Sequence, residues 1–282
     1  MKLATIAAPD GDAVAMALDD GRLQRLAAAD LAALLSSPRG AAWEQVGEPL
    51  DATQVRFRPL VPRPGKIFCV GLNYRSHIAE MGRPMPDAPT LFAKFASSLL
   101  GAYDDIEASP NSTQIDWEAE LAFVIGRPLR RASATEAKAA IAGYTVANDI
   151  SMRDWQWRTT QWLQGKTFDR STPVGPYLTT ADETDASDLQ LTCEVDGQIM
   201  QQARTSDLLF TPDEIAAYIS QFATLEPGDL ILSGTPGGVG AGRDPKMFLQ
   251  VGQQVTTTIE GLGSCVNKVC LPDRAGDSPA SN

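Results

Sequence analysis

His77 is the only histidine of the 282-residue chain. It lies in Gly71-Leu-Asn-Tyr-Arg-Ser-His77-Ile-Ala-Glu80. If that segment is helical, His77 and Glu80 stand at i and i+3 and share a face. A carboxylate beside an imidazole fixes its tautomer and raises its basicity, as a general base requires. An ordinary surface His–Glu pair has the same spacing. Asp116, Glu118 and Glu120 alternate along one segment, and on a strand all three side chains point to the same face. Three crowded carboxylates repel unless a cation compensates. That favours a hard divalent ion, Mg²⁺ or Mn²⁺, bound through oxygen; a solvated strand face is the bland alternative. Asp149 ends another apolar segment, where it serves either as a ligand or as a cap. Gln156 and Lys166 could donate hydrogen bonds to a developing oxyanion. The loop Gly234-Thr-Pro-Gly-Gly-Val-Gly240 permits close backbone approach to an anion, or simply turns the chain. Together these groups suit bond cleavage beside a carbonyl, with a metal holding a 2-oxo acid.

Such groups need a rigid frame. A chain of this length can bury roughly three quarters of its unfolded surface without disulfides. Apolar residues make up 43% and charged residues 21% of it, which is ordinary globular usage. The 24 Lys and Arg against 35 Asp and Glu leave a net charge of −11. With no basic stripe, a nucleic-acid or anionic-membrane partner is not expected. No apolar run spans a bilayer, and the N-terminus does not read as a signal peptide. Cys69, Cys193, Cys265 and Cys270 form no CxxC pair, so reduced thiols in a cytoplasmic protein are expected.

Residues 1–60 read as a small N-terminal α/β domain. It has a hairpin turning at Asp19-Asp20-Gly21 and a short helix over 30–36 capped by Asp30. Three prolines between Arg58 and Gly65 suggest an extended linker. Strands are expected at 66–70, 91–95, 118–125, 144–148, 191–195, 230–232 and 255–259, and a helix over 73–81. Thr211-Pro212-Asp213-Glu214 opens the clearest helix, with Ile215, Ile219 and Phe222 on one face. Residues 61–272 form the main domain and 273–282 a disordered tail. The class is α+β and β-rich.

Five motifs in order resemble the fumarylacetoacetate hydrolase family: GLNYRSHIAE (71–80), DWEAELAFVIG (116–126), GYTVANDISMRDWQ (143–156), GKTFD (165–169) and LEPGDLILSGTPGGVG (225–240). The resemblance runs from about Lys66 to Val269. It implies a mixed β-sandwich roll with few helices, assembled as a homodimer. It implies metal ligands at Glu118, Glu120 and Asp149, with Asp116 not a direct ligand. It implies a base dyad of His77 and Glu80 on a lid that orders when substrate binds. Gln156 and Lys166 match oxyanion and enolate stabilisers, and Thr235 matches a residue that holds the substrate carboxylate. Tyr74 and Arg153, inside two of the motifs, are taken as further substrate-binding positions. The sequence Ser151-Met152-Arg153 departs slightly from the more usual Ser-Ala-Arg. The expected activity is metal-dependent hydrolysis of a C–C bond in a 2,4-dioxo acid, giving pyruvate and a carboxylic acid. The alternative is a decarboxylase, isomerase or tautomerase acting on a metal-bound 2-oxo acid such as oxaloacetate.

Overall fold

The computed structural model describes residues 1–8, 11–37, 40–80, 82 and 84–272, the side chain of Glu80 excepted. The expected C-terminal tail falls outside them. The N-terminal segment supplies β1 (Lys2–Ala8), β2 (Gly11–Ala17), β3 (Arg22–Arg25), α1 (Leu31–Ser36) and β4 (Leu50–Asp51). Next come β5 (Ile67–Gly71), α2 (Arg75–Glu80), β6 (Thr90–Ala93), β7 (Leu99–Leu100), β8 (Ile106–Glu107), β9 (Ile115–Asp116) and β10 (Ala119–Ile125). The middle holds α3 (Ala134–Ala140), β11 (Ile141–Asn148), β12 (Ser151–Met152), α4 (Arg153–Gln156), α5 (Leu163–Lys166) and β13 (Thr172–Thr180). The last part holds β14 (Gln190–Val195), β15 (Gln198–Arg204), α6 (Pro212–Ser220), β16 (Leu230–Leu232), β17 (Gln254–Ile259) and β18 (Gly263–Cys270).

The large sheet runs in the order β4-β3-β2-β1-β13-β11-β10-β16-β5-β6, with β7 beside β13. A second sheet, β15-β14-β17-β18-β8, packs against the β10, β11 and β13 region. Strand β10 shows why the two sheets close on it. Leu121, Phe123 and Ile125 enter the core shared with Leu191, Cys193 and Val255 of the second sheet. Ala122 and Val124 face the other way, into a second core that also holds Leu31 and Leu34 of α1. Period-two alternation with apolar residues on both faces is what a doubly covered strand requires.

Asp30 caps α1 as expected, accepting from the Ala33 N–H at 2.7 Å. The N-terminal strands are not set apart from the sheet. β1 pairs antiparallel with β13, Leu3 opposite Leu178, and so lengthens the large sheet at one side. The proline-rich stretch expected as an extended linker is packed: Leu60 and Val61 are buried, and the Leu60 carbonyl accepts from Thr5 Oγ1 at 2.7 Å. Phe222 also departs from expectation. It lies beyond the end of α6 and is 62% exposed, whereas Ile215 and Ile219 are fully buried. Cys69, Cys193 and Cys265 are free thiols buried in the structure. No helix among the described residues is long and apolar enough to cross a membrane.

Candidate metal centre and active site

The acidic residues meet where β10 and β11 run side by side. Glu120 stands opposite Ala147, and Ala119 opposite Asn148. Just outside this ladder the Asp149 N–H donates to the Glu118 carbonyl at 2.8 Å, and the Glu118 N–H donates to Asn148 Oδ1 at 2.9 Å. Glu118, Glu120 and Asp149 are buried, and one carboxylate oxygen from each lies within 4.8 Å of the others. Asp116 is not in this set. The strand pattern breaks at Trp117, and Asp116 turns away to accept from Gly240 N at 2.7 Å, Ala241 N at 2.9 Å and Arg153 Nε at 2.7 Å. The alternation that would align three carboxylates on one face therefore fails at its first member.

Three buried carboxylates this close need compensation. Lys166 Nζ donates to Glu118 Oε2 at 2.7 Å and to Asp149 Oδ2 at 2.8 Å. Lys94 Nζ donates to Asp149 Oδ1, and to the Ile150 carbonyl at 3.3 Å. Arg153 Nη1 lies 2.7 Å from Glu118 Oε1. Burial opposes the charge on Lys166, but Asp149 and Glu118 outweigh it and raise its pKa. Burial likewise opposes the charge on Asp149, but Lys166 and Lys94 outweigh it and hold its pKa down. Glu120 has no such partner. Burial first, then Asp149 and Glu118, push its pKa well above the ordinary carboxylate value. Its Oε2 accepts from Gly234 N at 2.7 Å, while its Oε1 is buried with no hydrogen-bond partner. A hard divalent cation fits this arrangement: the donors are all carboxylate oxygens, and one buried oxygen has no donor of its own.

Beside the triad, and lined by its Glu118, lies a cavity of about 800 Å³. His77, Gln156, Lys166, Arg153 and Thr235 line it together with Glu118. A glycine lets Lys166 and Gln156 approach, since a Cβ on Gly165 would lie 2.4 Å from the Gln156 nitrogen. Gln156 Oε1 accepts from Arg153 Nη1 at 2.8 Å. Helix α2, which carries His77, is pinned at its base. Asn73 Nδ2 donates to the carbonyls of Phe210 at 3.0 Å and Ser233 at 2.7 Å, and Arg75 donates to the carbonyls of Leu208 and Leu209. The Glu80 side chain lies outside the described residues, and its pairing with His77 with it. Thr235 Oγ1 accepts from Gln201 Nε2 at 2.8 Å.

A family model described as "Fumarylacetoacetate (FAA) hydrolase C-terminal" matches residues 66–270. The chain belongs to the fumarylacetoacetate hydrolase family. Within it, the human protein named oxaloacetate tautomerase FAHD2A, mitochondrial, is 47% identical over 223 residues, 78% of this chain and 71% of that one. The solved fumarylacetoacetate hydrolase of Exiguobacterium antarcticum superposes with a TM-score of 0.87 at 31% identity, covering 96% of this chain and 100% of that one. A 5-carboxymethyl-2-hydroxymuconate delta-isomerase from Mycobacterium smegmatis superposes at 0.81 with 34% identity, covering 96% and 99%. The β-rich mixed fold expected from the fumarylacetoacetate hydrolase motifs is the fold observed.

Some site residues of this family member differ from expectation or escape it. Tyr74 does not line the cavity; it is fully buried in the main core, and burial raises its pKa. Arg153 lines the cavity, but it also braces Glu118 and Asp116. The glycine-rich loop does receive anions through its backbone, and those anions are the protein's own Glu120 and Asp116. Lys94 is not singled out by the motifs. Its signal is a lysine inside the apolar run Leu91-Phe-Ala-Lys-Phe95, since a lysine is buried only when paired. Gln201 is missed as well: it ties Ala119 N, Thr235 and the Pro236 carbonyl together from β15.

Proposed function

We propose that this protein catalyses metal-dependent keto–enol interconversion of a 2-oxo acid of the oxaloacetate type. The observation that carries the reading is the 47% identity to an oxaloacetate tautomerase over 78% of the chain. The likeness to a delta-isomerase supports the same class of chemistry, in which a proton changes place and no bond to carbon is hydrolysed. One proton leaves C3 of the keto form and one arrives on the 2-oxo oxygen, so substrate and product hold the same atoms. A Mg²⁺ or Mn²⁺ ion held by Glu118, Glu120 and Asp149 would supply Lewis acidity toward the 2-oxo oxygen. His77, in the cavity wall, is assigned the proton at C3, because imidazole can both accept and donate one. Lys166, kept charged by Asp149 and Glu118, stabilises negative charge growing on the substrate oxygen, with the Gln156 amide beside it. Thr235 accepts from Gln201, which leaves its O–H to donate to the substrate's α-carboxylate.

A second reading is hydrolysis of a 2,4-dioxo acid to pyruvate and a carboxylic acid. The likeness to the Exiguobacterium antarcticum hydrolase favours it. It requires His77, with Glu80, to activate a water. The two are separated by following decay of the oxaloacetate enol and pyruvate release from acetylpyruvate and fumarylpyruvate, each with Mg²⁺, Mn²⁺ or EDTA. We expect metal-dependent acceleration of the enol decay that EDTA abolishes. Cleavage of the dioxo acids with no effect on the enol would replace the tautomerase reading by the hydrolase one.

A further inference from the structure

We propose that Arg243 reads the distal carboxylate of the substrate and so restricts the site to 2-oxo dicarboxylic acids. The proposal rests on the 2-oxo acid reading above. Arg243 lines the same cavity as Glu118, Lys166 and His77. Its guanidinium is held by neutral groups only. Nη2 donates to the Met200 carbonyl at 2.7 Å and the Gly238 carbonyl at 3.2 Å, and Nε donates to Gly238 at 3.3 Å. The guanidinium carbon lies 5.8 Å from the centre of the Trp117 ring, whose own N–H donates to the Gly238 carbonyl at 3.1 Å. Among the described residues no carboxylate lies within ion-pair distance of it, and Nη1 makes no hydrogen bond.

The other cations of the site are all committed. Lys94, Lys166 and Arg153 are each paired to a buried carboxylate. Four carboxylates (Asp116, Glu118, Glu120, Asp149) against these three leave one negative charge, which a divalent cation would turn into one positive. Arg243 adds a positive charge and its neighbour Asp244, which also lines the cavity, a negative one. Arginine does not lose its proton, and its planar fork matches a carboxylate. A fork held only by carbonyls in the cavity wall therefore suits the second carboxylate of a dianion, with its α-carboxylate and 2-oxo group toward the triad and its far carboxylate on Arg243. Thr235 and Arg243 lie on one loop, so a single segment would set both ends of the substrate.

The test compares two non-reacting ligands that share a head group: oxamate, and N-oxalylglycine, which adds the distal carboxylate. Each is titrated into the full-length Mg²⁺-loaded protein by calorimetry. The parent is expected to bind N-oxalylglycine about 10- to 100-fold more tightly than oxamate, the range of one charge-assisted hydrogen-bonded pair. Arg243→Met should erase that preference and leave oxamate binding as it was, which also shows that the variant is folded. Arg243→Lys keeps the charge without the fork and should retain part of the preference. A parent without the preference, or an Arg243→Met variant that retains it, overturns the assignment of Arg243 alone. Failure of oxamate to bind the parent in a Mg²⁺-dependent way overturns the 2-oxo acid reading, and this proposal with it.

Discussion

Glu118, Glu120 and Asp149 stand on or beside two central strands, are buried, and meet three buried or nearly buried cations. Across the same cavity, His77, Thr235 and Arg243 stand on a short helix and a glycine-rich loop; Thr235 is held by Gln201 and Arg243 by two carbonyls, while the loop backbone donates to Glu120 and Asp116. The first region is a charge lattice in which every member affects the others. The second holds the Thr235 and Arg243 side chains through neutral partners. Buried ion pairs are poor in net stabilising energy, yet losing one partner is costly because the other is left without compensation. Neutral anchoring tolerates replacement better. The carboxylates that could hold a metal are thus fixed where the fold is least able to change, and the groups proposed to read the substrate's carboxylates stand where it can.

The sharpest break of this contrast is Glu120→Gln. Losing a ligand should lower Mg²⁺ affinity by at least about 100-fold, since even supporting residues around a metal cost about 10- to 100-fold, and turnover should fall with it. The metal-free protein should be no less stable, and could gain, because a buried carboxyl of elevated pKa gives way to a neutral amide. Thermal unfolding with and without Mg²⁺ reads both effects; undiminished Mg²⁺ protection would remove Glu120 from the metal site. His77→Ala comes next. It should reduce turnover by about 10²- to 10⁴-fold while Mg²⁺ affinity stays at the parent value, and turnover at the parent rate would withdraw the proton-transfer role. Lys94→Met tests the lattice itself. Asp149 keeps Lys166 but loses its second cation, so the metal-free protein should lose about 3 kcal/mol, measurable by urea unfolding.

These predictions rest on features of unequal visibility in the sequence. The acidic triad is legible because its members lie in or at the ends of recognisable apolar strands. Strand β16 falls on the expected residues, and the start of α6 is announced by Thr211-Pro212-Asp213-Glu214. Strand β13 is hidden by its composition: Thr172-Pro-Val-Gly-Pro-Tyr-Leu-Thr-Thr180 carries two prolines and a glycine, residues that argue against a strand. Its place beside β1 is what joins the N-terminal strands to the sheet. Lys94 is hidden for another reason. Its partner Asp149 is 55 residues away, and no local pattern encodes that pairing. Arg243 looks like any loop arginine until the cavity and its counter-charges are known.

Gln201→Ala probes the anchored side of the cavity. It removes the donor to Thr235 and the tie to Ala119 N, the start of the strand that bears the triad. Loss of the hydrogen bond to Thr235, about 1 to 1.5 kcal/mol, should raise KM for the 2-oxo acid about fivefold to tenfold. Mg²⁺ affinity should hardly move. A loss of metal binding as large as that of substrate binding would mean that the two sides of the cavity are not separately anchored.

The smallest expected effect is also the control for all the others. Helices α3 and α6 pack together outside the cavity, and none of their residues lines it. Ser133 caps α3 by accepting from Glu136 N at 3.3 Å, while Glu136 Oε2 accepts from the Ser133 N–H at 2.8 Å. Ser133→Ala removes one side of that exchange and should cost about 1 kcal/mol, which lowers the melting temperature by about 2–4 °C in a chain of this size. Because α3 leads directly into β11, which Asp149 follows, the helix offers a route by which loosening would reach the triad. The continuous backbone ladder of β11 with β10 and β13 argues that it does not, since fraying of one helical turn leaves those bonds intact. The variant should therefore melt earlier at unchanged kcat/KM and unchanged Mg²⁺ affinity. A fall in either, at temperatures where the protein is fully folded, would show that the charge lattice is tuned from outside the sheet.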